Sequence, residues 1–253
     1  MNKVIIEKNG PVKTVWMNRS EKRNALDSEL LGNMIEALQA PGEADDRVIV
    51  IRGKGDVFCA GLDMAERSRT AGAGKASGIE VMLRAIELCP LPVVAVVQGD
   101  AIAGGNELAL HCDLVVASQK ARFGMSLAQV GLAPNWFLAK KLMEVLGPVT
   151  TREMLLLGDP LPSTKLHALG LIARCVPHAE LEAEADKVIG RLANNAPLSL
   201  MAMKMLTVRQ LEFRDAIPHD DVDAAVRAAM QSQDAQEGMK ARLEKRTAKF
   251  AGK

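Results

Sequence analysis

Residues 93–107 read Val-Val-Ala-Val-Val-Gln-Gly-Asp-Ala-Ile-Ala-Gly-Gly-Asn-Glu. The first five are apolar at every position instead of at alternate ones, the mark of a strand covered on both faces. A turn through Gly99 follows, and then a glycine pair, Gly104-Gly105, stands just ahead of an acidic residue, Glu107, at a helix start. The same logic selects Val48-Ile49-Val50-Ile51, closed by Arg52-Gly53, and Leu114 to Ala117 as buried strands. Between the strands, Ile79 to Leu88 and Glu107 to His111 carry helical spacing. The alternation of strand and helix predicts an α/β chain with parallel strands and crossover helices.

Working outward from this segment, residues 4–17 alternate around Asn9-Gly10 and predict a hairpin. A polar loop, Asn18 to Asn24, leads to Asp27 as N-cap of a helix whose face is Leu30, Leu31, Met34, Ile35 and Leu38, stopped by Pro41-Gly42. Ala71 to Gly78 is rich in small residues and reads as a surface loop. Beyond Pro197 the chain is helical in period throughout, which places a boundary between a core of residues 1–196 and a helical region of residues 197–253. The basic end, Gly238 to Lys253 with Lys245, Arg246 and Lys249, reads as an amphipathic helix that packs on a neighbour, in preference to a nucleic-acid arm.

Composition narrows the function. The chain has 253 residues, 48% hydrophobic and 25% charged, with 32 basic and 31 acidic side chains. That balance argues against disorder and against a protein that coats nucleic acid. There is no tyrosine to serve as an acid and no aromatic platform for bases. Cys59, Cys89, Cys112 and Cys175 form no CxxC pair, and His167, His178 and His219 lack ligand spacing, so no metal is expected. The longest apolar run, Leu91 to Val97, is broken by Pro92 and far too short to span a bilayer, and the amino terminus lacks a secretory pattern. A cytoplasmic location and no membrane partner are expected.

Two turns can carry chemistry: residues 58–63, Phe-Cys-Ala-Gly-Leu-Asp, and residues 99–107, each following a buried parallel strand. Ligands gather beyond the carboxyl ends of such strands, where unpaired N–H groups are available. If the N–H groups of Leu62 and Gly104 converge, they form an oxyanion hole, each donor worth about 3 kcal/mol at a transition state. Taken alone, a glycine pair merely lets a helix start close to a sheet.

The motifs in combination are more specific. Asn18-Arg19-Ser20-Glu21-Lys22-Arg23-Asn24-Ala25-Leu26, Phe58-Cys59-Ala60-Gly61-Leu62-Asp63, Pro92 to Glu107, Cys112-Asp113, Phe123-Gly124 and the tail from Glu237-Gly238-Met239 to Lys249-Phe250 occur in order. In these the chain resembles the crotonase superfamily, the enoyl-CoA hydratase/isomerase family, over nearly its whole length. The resemblance implies a superhelix of ββα turns with a carboxyl-terminal helical region for trimers or dimers of trimers, and an acyl-CoA substrate. No cofactor beyond the substrate's coenzyme A and no nucleic-acid partner are implied.

Carried over residue by residue, the resemblance gives the oxyanion donors to Leu62 and Gly104 and puts Glu107 at the first of the two hydratase glutamates, as general base. It lines the substrate with Arg23, Ala25, Ala60, Leu62, Asp63, Met64 and Gly104, with Phe250 reaching from the tail. The second hydratase glutamate falls on Leu127, and another acid position falls on Asn135, so both are without a titrating group. Trp136 is a packing residue or a wall for a bulky acyl group. His111 lies one turn beyond Glu107, where it either orients that residue or packs in the core, and Glu80 with Arg84 reads as a solvated i,i+4 pair, in a segment that by the resemblance borders the acyl pocket. The expected function is an enoyl-CoA hydratase-like lyase. A double-bond isomerase, another crotonase reaction on a bulky acyl-CoA, and a non-catalytic acyl-CoA-binding homologue are the alternatives.

Overall fold

A computed structural model describes residues 2–39, 45–66 and 78–252. The hairpin forms as β1 (Val4–Asn9) and β2 (Val12–Met17), antiparallel about the Asn9-Gly10 turn. From β2 onward the main sheet is parallel, through β3 (Val48–Gly53), β4 (Val93–Val97), β6 (Leu114–Ser118) and β9 (Arg174–Val176). Its strand order is β1-β2-β3-β4-β6-β9.

The side chains of β3 show why these runs are apolar at every position. Ile49 and Ile51 join the main core with Leu30 and Met34 of α1 (Ser28–Gln39) and Met82 and Ile86 of α2 (Gly78–Leu88). Val48 and Val50 face the other way, onto Leu181, Ala185 and Ile189 of a helix over residues 181–194. Helices thus cover both faces, as parallel pairing requires. Asp27 caps α1 as expected, its Oδ1 accepting from Leu30 N at 2.9 Å.

A second, three-stranded sheet of β5 (Ala101–Ile102), β7 (Arg122–Gly124) and β8 (Leu161–Pro162), in the order β5-β7-β8, was not foreseen from the sequence. Its strands are too short to carry a periodic signal. The segment 101–124 threads both sheets: β5, then α3 (Gly104–His111), then β6, then β7. All eight residues of α3 are buried, and the helix starts at Gly104, ahead of the expected Glu107.

Helix α4 (Trp136–Arg152) follows, interrupted at Gly147-Pro148, and then α5 (Ser163–Ala168) and α6 (Leu181–Asn194). Helix α7 (Pro197–Leu211) starts at Pro197 with proline in its first turn, and α8 (Asp220–Gln231) and α9 (Gln233–Leu243) complete the helical end. The expectation of one helix from Gly238 to Lys253 needs correction: the helix ends at Leu243, and the tail turns back. Lys245 adopts φ +55°, Arg246 makes a bidentate pair with Glu237, and Asp234 accepts from the Ala251 and Gly252 N–H groups. Arg246 and the Lys249 N–H hold the half-buried Glu237 carboxyl down to a pKa of about 2. The surface loop read at Ala71 to Gly78 falls on residues 71–77, outside the described residues, while Gly78 opens α2. Among the described residues no helix is long and apolar enough to cross a membrane.

Candidate active site

The two glycine turns meet. The 58–63 segment is stitched to Leu26 by Leu26 N–H to Gly61 O (2.8 Å) and Asp63 N–H to Leu26 O (2.9 Å), a parallel bridge. When residues 61 and 63 face Leu26, the N–H of Leu62 points to the opposite side. On that side lies the start of α3. A Cβ added to Gly61 would stand 3.0 Å from Gly104 N, and one added to Gly104 would stand 3.4 Å from Gly61 Cα. One added to Gly105 would meet Cys59 O at 2.1 Å, so only glycine fits there. Cys59 is packing material: burial pushes its thiol up to about 12.

Ala103, just before the helix, has φ +50° and ψ −117°, an unfavourable region for a residue with a Cβ. Its own N–H donates to Gly124 O at 2.7 Å, and Glu107 N–H returns to Ala103 O at 3.1 Å. Those two bonds hold the strained residue, whose ψ sets where the next N–H, that of Gly104, points. Among the described residues neither Leu62 N–H nor Gly104 N–H donates to a protein acceptor.

A cavity of about 600 Å³ opens beside these turns. Of the residues singled out from the sequence, Ala60, Leu62, Met64, Gly104, Glu107, Leu127 and Asn135 line it. Most of the wall is apolar, including Ile79, Met125, Val130 and Leu132. The remaining candidates lie off this wall. Arg23, with φ +53°, is exposed at the 19–24 loop, and Ala25 hydrogen-bonds there to Lys22 O. Asp63 is engaged by Arg19 at 2.7 Å and caps the Ala65 and Glu66 N–H groups, and Phe250 is exposed on the tail. Trp136 takes the packing alternative, stacked on His219 at 4.4 Å with its indole N–H on Arg214 O.

Glu107 is fully buried, and neither carboxyl oxygen has a hydrogen-bond partner. Burial holds its pKa well above the usual carboxylate range, against the opposing pull of the Lys141 ammonium. Desolvation therefore outweighs the helix N-terminus and favours the protonated form of Glu107 over the ionised form a general base needs. His111 does not orient the carboxyl: its Nδ1 lies 2.7 Å from the Glu107 backbone oxygen and 3.6 Å from Oε2. Burial pushes the His111 pKa down to about 3, so the ring is neutral and donates from Nδ1 to that carbonyl.

Of the two readings of the Glu80 segment, a solvated pair and a border of the acyl pocket, the second holds for Glu80. In place of a solvated pair with Arg84, Glu80 faces the cavity and accepts from Asn135 Nδ2 at 2.6 Å, while Arg84 stands 6.0 Å from the Phe137 ring. The Asn135 position was legible; its partner, 55 residues earlier, was not.

Comparison with known proteins places the chain. The family model for enoyl-CoA hydratase/isomerase matches residues 7–253, and the chain belongs to that family. A protein of Mycobacterium leprae named as a probable enoyl-CoA hydratase is 33% identical over 246 residues, covering 95% of this chain and 96% of its own. A crotonyl-CoA hydratase of Syntrophomonas wolfei is 29% identical over 262 residues, 99% of this chain and 98% of its own. Among solved structures, an enoyl-CoA hydratase from Mycobacterium avium subsp. paratuberculosis superposes with a TM-score of 0.84 at 29% identity, covering 98% of each chain. A methylmalonyl-CoA decarboxylase superposes with a TM-score of 0.90 at 25% identity, over 99% of this chain and 98% of its own. The fold is the crotonase fold, α/β with carboxyl-terminal helices.

Proposed function

We propose that this chain catalyses enolate chemistry on acyl-CoA thioesters, with hydration of a 2-enoyl-CoA as its reaction. The observation that carries this reading is Glu107: a buried carboxyl without a partner, on the helix whose first residue, Gly104, packs against the Gly61 turn, where the Leu62 and Gly104 N–H groups have no protein acceptor among the described residues. A buried, unsatisfied carboxyl costs stability, so its retention at a cavity points to chemistry. The N–H groups of Leu62 and Gly104 take the thioester oxygen as it gains charge, and protonated Glu107 delivers its proton to Cα. Family resemblance and the hydratase names among the relatives support the substrate class.

A double-bond shift is the second reading, favoured by Leu127, which puts an apolar side chain where a hydratase of this family carries its second glutamate. The likeness to a decarboxylase shows a shared fold; with Glu80 and Glu107 both facing the cavity, a carboxylated acyl group would meet two acidic side chains there. For assembly we propose a trimer built on the helical end, where Leu198, Met203, Met205 and Leu206 of α7 are exposed. The test of function is purified protein against short- to long-chain 2-enoyl-CoA and 3-enoyl-CoA esters, with exchange of the Cα hydrogen of a saturated acyl-CoA in D₂O read alongside. Exchange that disappears in Glu107→Gln supports the reading; exchange that survives the substitution removes Glu107 from it.

A further inference from the structure

Adding water across a double bond moves two protons: one leaves the water as its oxygen joins Cβ, and one arrives at Cα. Glu107 accounts for the second, and Leu127 on the wall cannot account for the first. The cavity nevertheless holds another carboxyl group. Glu80 stands in the first turn of α2, directly after Ile79, whose Cδ1 presses on the site turn closely enough to lie 2.7 Å from a Cβ built on Gly104. The contact that packs Ile79 against Gly104 therefore brings Glu80 to the same cavity as Leu62 and Gly104.

Asn135 fixes it there. The Asn135 side chain is the N-cap of α4, its Oδ1 accepting from Leu138 N–H at 3.0 Å, and its Nδ2 donates to Glu80 Oε1 at 2.6 Å. An amide engaged at both ends cannot rotate without losing one bond, so the helix cap and the carboxyl hold each other in register. Among the described residues Glu80 Oε2 has no partner, and Glu80 pairs with no lysine or arginine.

Building on the enolate reading, the geometry points to Glu80 as a second catalytic residue of this cavity, positioned by Asn135, that takes the proton from the water adding at Cβ. The step balances. The water O–H bond breaks toward Glu80 and the O–Cβ bond forms. The π electrons move onto the thioester oxygen held by Leu62 and Gly104, and Glu107 gives its proton to Cα. No oxidant or reductant is needed, and on product release the proton returns from Glu80 to Glu107 through solvent.

The experiment uses full-length protein and two readouts on each variant: hydration of the best 2-enoyl-CoA ester from the panel, and Cα hydrogen exchange of the matching saturated acyl-CoA in D₂O. Glu80→Gln keeps the shape and an oxygen for the Asn135 amide. It is expected to lower hydration ~100-fold or more and to leave exchange within about threefold of the parent. Asn135→Asp retains the cap on Leu138 N–H but removes the N–H that holds Glu80 and sets a like charge beside it. It is expected to lower hydration about tenfold, again with exchange kept. Hydration at the parental rate in Glu80→Gln overturns the assignment of Glu80, and the same result in Asn135→Asp overturns the positioning role. A parent that exchanges Cα hydrogen yet hydrates no ester overturns the Glu80 proposal while sparing Glu107; a parent that does neither overturns both.

Discussion

Two buried glutamates, Glu87 on α2 and Glu107 on α3, are built in opposite ways. Glu87 lies 2.5 Å from Lys141, and although burial works to raise its pKa, the Lys141 charge and hydrogen bond bring it below the ordinary carboxylate value. Glu107 has no partner, and its pKa stands well above that value. The buried lysines follow Glu87. Lys204 reaches Asp113 at 2.7 Å and the carbonyls of Ile86 and Leu91, and Lys140 reaches Asp215 at 2.7 Å. A charge that serves the fold is compensated where it is buried. A carboxyl left without a partner at a cavity serves something that arrives from outside.

The comparison breaks most sharply at turnover. Glu107→Gln is expected to lower kcat about 10³-fold, roughly 4 kcal/mol on the barrier, while acyl-CoA affinity stays within about twofold. Steady-state kinetics with a titration of a saturated acyl-CoA measures both. Should Glu87→Gln produce the same loss of kcat at unchanged stability, the division between a structural and a chemical glutamate fails.

The next effects concern the fold. Lys204→Met removes the ammonium from Asp113, which keeps only the Val93 N–H, and from the carbonyls of Ile86 and Leu91, and is expected to cost about 3 kcal/mol in a urea titration. Glu87→Gln strands only part of the Lys141 charge, since Glu144 remains 3.5 Å away, and is expected to cost about 2 kcal/mol. Neither residue lines the cavity, so kcat is expected to stay within about threefold in both.

How far the sequence disclosed this design depended on how local each signal was. Val48 to Ile51, Val93 to Val97 and the cap at Asp27 are written in consecutive residues and formed as read. The two glycine turns were legible too, because close backbone approach demands glycine at 61 and 105. The partner of Glu80 was misread because the local rule, an i,i+4 pair with Arg84, competes with a tertiary partner that only folding supplies. The end of α9 escaped for the same reason: a helical period continues past Leu243, but the Arg246 to Glu237 pair turns the chain back. Which way the Glu107 pKa moves was likewise undecidable before burial was known, since the helix dipole and desolvation act in opposite directions.

The smallest effects carry the comparison's sign. An unfolded glutamate ionises near pH 4.3. As pH rises through that value, the unfolded chain releases the Glu107 proton while the folded chain keeps it, so stability falls with rising pH until the raised folded pKa is passed. Glutamine carries no such proton. Glu107→Gln is therefore expected to melt about 2–4 °C above the parent at neutral pH, with the gap closing below about pH 4. Glu87 runs the other way: its folded pKa is lowered, so its contribution is present above about pH 4.3 and lost as pH falls through the folded value. The deficit of Glu87→Gln should accordingly be largest at neutral pH and shrink in acid. His111, neutral in the fold with a pKa near 3, weakens the fold as pH drops below about 6.5; because the Glu87 charge acts on that pKa, the effect is shared with Glu87→Gln only above about pH 3, where the ring is neutral in the fold. Melting curves of the three proteins from acid to neutral pH therefore test the two signs together, and a Glu107→Gln protein that melts at or below the parent at neutral pH would mean that the buried carboxyl is compensated after all.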